Sequence, residues 1–312
     1  MTMMQAERMH AVRLHSDRGI DGLSLDELPV PEPGDGDALV RVHAAAITRD
    51  ELEWPVDRLP AIPSYELSGV VEAVGADVTG LASGDAVYSL TAFDRDGVAA
   101  EYAVVSASLL APKPGRLDHV QCAAIPMPGL TAWQGLFEHG SLEPGQRVLI
   151  LGAAGGVGYI ATQLARWRGA HVVGAASRGA VEAALEAGAH ESVDRASLAD
   201  AALEPFQLVF DTVGGEALAG SAAFVRGGGK VVSVAEEPPP ELVAQGDARY
   251  FVVEPDRREQ LVELARLADD GELRPAIDSV FPLSDARAAF ERVAAPGKRG
   301  KVVLSLVDPG ST

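Results

Sequence analysis

The chain has 312 residues, of which 47% are apolar and 23% charged, and it carries a net charge of −19. Its length exceeds what one hydrophobic core usually serves, so two domains are expected. The acidic balance argues against a nucleic-acid partner and against an anionic membrane surface, both of which need clustered Lys and Arg.

The first residues, "MTMMQAERMHAV", lack the continuous apolar stretch of a secretory signal. "HAVRLH" (His10 to His15) and "ALVRVHAAAIT" (Ala38 to Thr48) alternate in part and read as strands, with the turn region "PVPEPGDGD" between them. From Tyr65 to Leu90, short strands are expected between Gly69, Gly75, Gly80 and Gly84, and "VAAEYAVV" (Val98 to Val105) is a further strand. Short strands at even spacing predict a small barrel over about the first 110 residues.

The pattern changes near His119. "HVQCAAIPMPGLTAWQGLFEHG" reads as helix, interrupted by Pro126 and Pro128. Cys122, the only cysteine, lies in this apolar setting as a small core residue. A lone cysteine rules out an internal disulfide and a cysteine-built zinc site, and a reduced, cytoplasmic location is expected. Strands then alternate with helices: Val148–Leu151, Val157–Trp167, His171–Ala175, Ala180–Ala187, Leu208–Asp211, Glu216–Phe224 and Lys230–Val234. "YFVVEP" and "DRREQLVELARLADDG" continue the series, and the chain closes with strand, helix and strand through "GKVVLSLV". This alternation predicts a parallel sheet with crossover helices. Val148 to Ala165 is 18 residues without a charge, the length of a membrane span, but four glycines within seven residues break it into strand, turn and helix.

The turn Ala153-Ala154-Gly155-Gly156-Val157-Gly158 has dinucleotide-site spacing, with alanine at the first glycine position. Gly155 lets backbone approach a pyrophosphate, Gly158 lets helix pack on strand, and Ala154, Gly156 and Val157 complete the cradle at a helix N-terminus. The second strand usually ends in an acid that holds a ribose hydroxyl. Here the chain offers Ala176, Ser177 and Arg178. Ser177 and Arg178 suit a 2′-phosphate, which points to NADPH. Ala175 to Gly179 also resembles a loosened nucleophile elbow, but its first glycine is missing and a hydrolase would leave the preceding turn unexplained.

Taken together, "PAIPSYELSGVVEAVG", "GLTAWQGL", "GQRVLILGAAGGVG", "LVFDTVGG" and "GKVVLSLV" resemble the medium-chain dehydrogenase/reductase superfamily, specifically its zinc-independent quinone oxidoreductase branch. The resemblance covers about His10 to Val307. It implies an α/β fold: a GroES-like β-barrel domain over residues 1–122 and 277–312, and a Rossmann domain over 123–276. It also implies NADPH in the cleft and a homodimer. Carried over motif by motif, Thr131 would lie near the nicotinamide ribose, and Thr212 and Val213 would line the cofactor channel. Ser233 and Phe251-Val252 would border the nicotinamide, and Lys301 would lie near the cofactor phosphates. Zinc-dependent relatives hold their metal where this chain has Thr48, Tyr65-Glu66 and Pro128, so neither thiolate nor imidazole remains, and a metal-free site is expected. The chain departs from the branch in two places. Ala180 stands at a lysine of the 2′-phosphate site, which Arg195 is a candidate to replace. "AITRDELEWP" stands where "GVNPVD" is common, so the substrate pocket does not carry over.

The expected reaction is hydride transfer from NADPH to a quinone or an α,β-unsaturated carbonyl. Without a metal, charge developing on the substrate oxygen needs hydrogen-bond donors, for which Thr48 and Tyr65 are candidates together with water. Trp54, Phe93, Met127 and Phe251 are candidate pocket walls. The alternatives are an enone or enoyl reductase and a non-catalytic NADPH-binding sensor or accessory protein. A short-chain dehydrogenase is excluded, because none of the five tyrosines has lysine four residues on.

Overall fold

A computed structural model describes residues 7–307 of the chain. It forms two units: residues to Pro126 with Pro255–Asp269 and the segment from Ile277 onward, and Met127–Glu254 with Asp270–Ala276.

The first unit opens with β1 (Arg8–Leu14) paired antiparallel to β2 (Leu23–Pro29). The sequence reading has no strand at β2, because "LSLDELP" carries charges where a half-buried strand is normally apolar. β3 (Asp37–Ile47) is the hub: it pairs antiparallel with β4 (Glu66–Val74) and with β6 (Tyr102–Ser106), while β4 also pairs with β5 (Ala86–Leu90). β7 (Ala111–Pro112) closes on β5. Gly69 does not interrupt a strand as expected; β4 runs through it. A Cβ there would lie 2.3 Å from the Arg41 carbonyl oxygen, so glycine is what lets β3 and β4 approach beside their bulge. α1 (His119–Ala123) starts on a capping box, with Asp118 accepting from the Gln121 amide.

In the second unit, α2 (Pro126–Trp133) begins at Pro126. The helical stretch is interrupted here as expected: α1 ends at Ala123 and a new helix opens on the proline, whose first-turn position needs no N–H. A π-helical turn, Gln134–His139, follows. Then come β8 (Arg147–Leu151), α3 (Gly156–Trp167), β9 (His171–Ala176), α4 (Val181–Glu186) and β10 (Glu191–Asp194). β11 (Phe206–Asp211), α5 (Gly215–Ala219), β12 (Val225–Ser233), α6 (Pro240–Gln245) and β13 (Asp247–Tyr250) complete the series. The last strand falls just before the expected "YFVVEP", in a more polar stretch.

All six strands are parallel, in the order β10-β9-β8-β11-β12-β13. This is the doubly wound order, whose direction reverses between β8 and β11, the place where such sheets bind ligands outside their strand ends. The run "VLIL" in β8 is fully buried, as a strand covered on both faces must be. The membrane-span-like segment is thus a strand, a turn and a helix, and among the described residues no helix is long and apolar enough to cross a membrane.

The chain then returns to the first unit. α7 (Arg258–Asp270) groups there up to Asp269, whereas the sequence reading places it with residues 123–276. The reason is visible in its bonds: the Tyr88 hydroxyl donates to the Leu261 carbonyl at 2.5 Å and Arg258 donates to the Leu110 carbonyl at 2.6 Å. β14 (Ile277–Pro282) and β15 (Lys301–Ser305) pair in parallel, and β15 lies antiparallel to β3. α8 (Ala286–Ala294) buries Ala289, Phe290 and Val293 in a core shared with Leu14, Val40, Leu67 and Leu304.

Candidate active site

In the second unit, the loops after β8 and β11 start at one level, because Leu151 is in register with Asp211. Gly152 has φ +86, and a Cβ on it would lie 2.4 Å from the Thr212 hydroxyl oxygen. The Thr212 hydroxyl donates to the Leu151 carbonyl at 2.8 Å and ties the two loops together. A Cβ on Gly158 would lie 2.2 Å from the Gly152 carbonyl oxygen, so helix α3 seats directly on the turn.

Gly155 is different: its Cβ would meet only the Gly152 oxygen, at 3.3 Å. A Cβ there needs only a shift of a few tenths of an ångström, a far smaller demand for glycine than at Gly158 or Gly152, and close approach of a ligand to the backbone would add to it. Gly155, Gly156 and Val157 are half-exposed, Ala154 is buried, and no side chain caps α3. A 12-residue helix therefore presents uncapped N–H groups at a glycine turn, which fits a dinucleotide pyrophosphate. Ala154, Ala176, Ala180 and Ala183 form one small cluster between this turn and the end of β9.

At the end of β9, Ser177 and Arg178 are exposed, and the Ser177 side chain caps nothing. Arg178 Nε donates to Asp194 Oδ2 at 3.1 Å. Arg195 is exposed on the turn that follows β10. The Asp194 carboxyl is held below its ordinary range, first by the Ala196 N–H and then by Arg178.

Several predicted cofactor residues carry out internal tasks. Thr131 is buried and donates to the Met127 carbonyl at 2.6 Å. Ser233 is fully buried and donates to Asp211 Oδ2 at 2.8 Å, while accepting from the Ala235 and Glu236 amides. Phe251 is buried against the His139 ring at 4.3 Å, and Val252 is exposed. The sequence reading overlooks Asp211. Its fully buried carboxylate accepts from the Val213 and Gly214 amides and from Ser233, which fixes the turn bearing Thr212 and Val213. Burial raises its pKa despite these bonds. An acid at the end of the apolar run "LVFD" was the available signal.

In the first unit, Thr48 stands at the end of β3 and Glu66 at the start of β4. The Lys301 ammonium donates to Thr48 Oγ1 at 2.9 Å and is ion-paired with Glu66. Thr48 in turn donates to Glu66 at 3.1 Å. Glu51, also overlooked, is buried and accepts from the Thr48 amide at 2.9 Å through Oε2. Burial pushes Glu51 up to about 8, against the pull of the Thr48 amide and Lys301. At neutral pH Glu51 is then a neutral acid. Lys298, another of the chain's four lysines, is lowered to about 8 by burial and by the nearby charges of Lys301 and Arg49. Two non-glycine residues flank this site in the left-handed region, Asp50 at φ +64 and Ser64 at φ +68.

Tyr65 is fully buried, and its hydroxyl accepts from Arg58 Nη2 at 2.9 Å. Trp54 and Phe93 pack on its ring at 5.5 Å. Arg58 also donates to the Phe93 carbonyl at 2.5 Å, so one guanidinium fixes this aromatic group. Cys122 is fully buried, and burial pushes its thiol up to about 12.

Residues 34–115 match the family described as "Alcohol dehydrogenase GroES-like domain", and residues 187–304 match "Zinc-binding dehydrogenase". The chain is 31% identical to a "Probable zinc-binding oxidoreductase, mitochondrial" of Arthroderma benhamiae, over 91% of this chain and 93% of that one. It is also 31% identical to a "2-methylene-furan-3-one reductase" of Solanum lycopersicum, over 91% of this chain and 76% of that one. Among solved structures, the quinone oxidoreductase from Coxiella burnetii superposes with a TM-score of 0.90 at 28% identity, covering 96% of this chain and all of that one.

The two units thus define a two-domain oxidoreductase with a GroES-like domain and a Rossmann domain. The chain belongs to the medium-chain dehydrogenase/reductase superfamily and has quinone oxidoreductases among its homologues.

Proposed function

We propose that this protein is a zinc-independent, NADPH-dependent oxidoreductase that delivers hydride to a quinone or an α,β-unsaturated carbonyl. The observation that carries the metal-free part is the Lys301 ammonium, seated against Thr48 and Glu66. Those are positions where zinc-dependent members of the superfamily keep metal ligands. The carboxylate there is already paired with a cation, and the remaining atom is a hydroxyl. Zinc favours thiolate and imidazole, so this donor set does not fit it.

NADPH, when bound, supplies the hydride. The protein supplies placement. The turn at Gly155–Gly158 and the N-terminus of α3 receive the pyrophosphate, and Ser177 and Arg178 receive the 2′-phosphate. Asp211 holds the turn of Thr212 and Val213 in place. In the first unit, the Thr48 hydroxyl proton is committed to Glu66 and the Tyr65 oxygen to Arg58. We assign Thr48 as the donor to a substrate oxygen: its hydroxyl turns from Glu66, whose carboxylate stays paired with the Lys301 ammonium. The homodimer and a cytoplasmic location belong to the same proposal.

Quinone and enone acceptors are both retained. The Coxiella burnetii structure is named for the first, and 2-methylene-furan-3-one carries a C=C conjugated to a carbonyl. Oxidation of NADPH followed at 340 nm against a panel of quinones and enones, with product analysis, tests the reading. Turnover with either class supports it. Tight NADPH binding without turnover on any member would favour a sensor or accessory protein instead.

A further inference from the structure

We propose that Asp194 sets how strongly the protein distinguishes NADPH from NADH, by competing with the cofactor's 2′-phosphate for Arg178. This rests on the reading that Ser177 and Arg178 receive that phosphate.

β10 runs parallel to β9 with Asp194 in register with Ala176. A dinucleotide site that favours the unphosphorylated ribose carries its acid at the end of the second strand. Here that place is Ala176, and the acid arrives at the same level from the neighbouring strand. The two partners differ in freedom. Asp194 is 19% exposed and tied down by the Ala196 N–H at 3.1 Å, whereas the Arg178 side chain is 89% exposed. Among the described residues, Arg178 is engaged only through Nε, to Asp194 at 3.1 Å. Its Nη edge is therefore open to a ligand.

The same fixed carboxylate then acts in opposite senses on the two cofactors. A 2′-phosphate seated on the Nη edge of Arg178 sits beside a like charge, which weakens the contact. A 2′-hydroxyl meets an acceptor of the kind that selects NADH elsewhere. Sequence spacing conceals this arrangement, since residues 178 and 194 are joined only by strand register. Arg195, next to Asp194 in the chain, is exposed as well.

The test is calorimetric binding of NADPH, NADH and 2′,5′-ADP to the wild-type protein, Asp194→Asn and Arg178→Ala. Asparagine keeps an oxygen for the Ala196 amide, so the turn after β10 is retained, and thermal melts verify this. Asp194→Asn is expected to tighten NADPH and 2′,5′-ADP about tenfold, the worth of one charge-assisted contact, and to weaken NADH. An unchanged or smaller NADPH-to-NADH preference would overturn the role of Asp194. Arg178→Ala separates the two levels. If it weakens NADPH selectively while Asp194→Asn leaves the preference alone, only the Asp194 inference fails. If it weakens both cofactors equally, the 2′-phosphate reading fails and takes this inference with it.

Discussion

Lys301 and Thr48 are 253 residues apart in sequence, yet the Lys301 ammonium donates to the Thr48 hydroxyl at 2.9 Å and pairs with Glu66 in the same contact. Both charged side chains are nearly inaccessible, at 7% and 1% exposed. Breaking a buried pair from one side leaves the other charge without its counter-ion, at a cost of about 3–5 kcal/mol. Lys301→Met is therefore expected to lower the melting temperature by several degrees. The double variant Lys301→Met/Glu66→Gln should recover much of the loss. A double variant no more stable than the single one would show that the pair contributes little.

Glu51 gives the fold a distinctive pH dependence. In the folded chain it holds its proton up to about pH 8, while the unfolded chain releases it near the usual carboxylate value. Between those limits the folded state binds the extra proton, so stability falls as pH rises, by at most about 1.4 kcal/mol per pH unit for this one group. Above pH 8 the contribution levels off. Glu51→Gln should remove this contribution and be the more stable protein at pH 8. Denaturant melts of both proteins from pH 5 to 8.5 test this, and parallel curves would contradict it.

The glycines of the phosphate turn divide into two kinds. At Gly158, a Cβ would lie 2.2 Å from backbone, so Gly158→Ala should distort the turn at a cost of about 1–3 kcal/mol. At Gly155, φ is −78 and the nearest atom is 3.3 Å away. Gly155→Ala should melt closer to the wild type than Gly158→Ala does, yet lose at least about tenfold in NADPH affinity, because on the proposed reading the methyl group stands where the pyrophosphate approaches. Equal affinity in Gly155→Ala would remove the pyrophosphate from this turn.

Asp211 positions the β11 turn without any need to touch the cofactor. Asp211→Asn keeps the shape but turns an amide donor toward the Gly214 amide or the Ser233 hydroxyl, at a cost of about 1–3 kcal/mol. Hydrogen exchange at the Val213 and Gly214 amides should speed up, and dinucleotide affinity should fall. If exchange there were unchanged, the carboxylate would not be what holds the turn.

How far these features can be read in advance depends on their range along the chain. The turn at Gly155–Gly158 is legible, because strand, glycines and helix lie within one local stretch. The break at Pro126 is legible too, since proline suits the first turn of a helix and not its interior. β2 escapes notice because its charged residues hide the period. Asp194 beside Arg178, Asp211 under Val213 and Lys301 on Glu66 depend on register and topology, and spacing alone does not reveal them. Glu51 is the hardest, because nothing in "RDELEWP" marks a carboxyl that is buried while its neighbours Asp50 and Glu53 remain exposed.

The most direct test of hydride transfer without a metal is single-turnover loss of NADPH absorbance with a quinone acceptor, using protein dialysed against chelator and assayed for residual metal. Metal-free hydride transfer gives an unchanged rate constant at metal contents far below one ion per chain. A rate that falls with the metal and returns on adding zinc would contradict it.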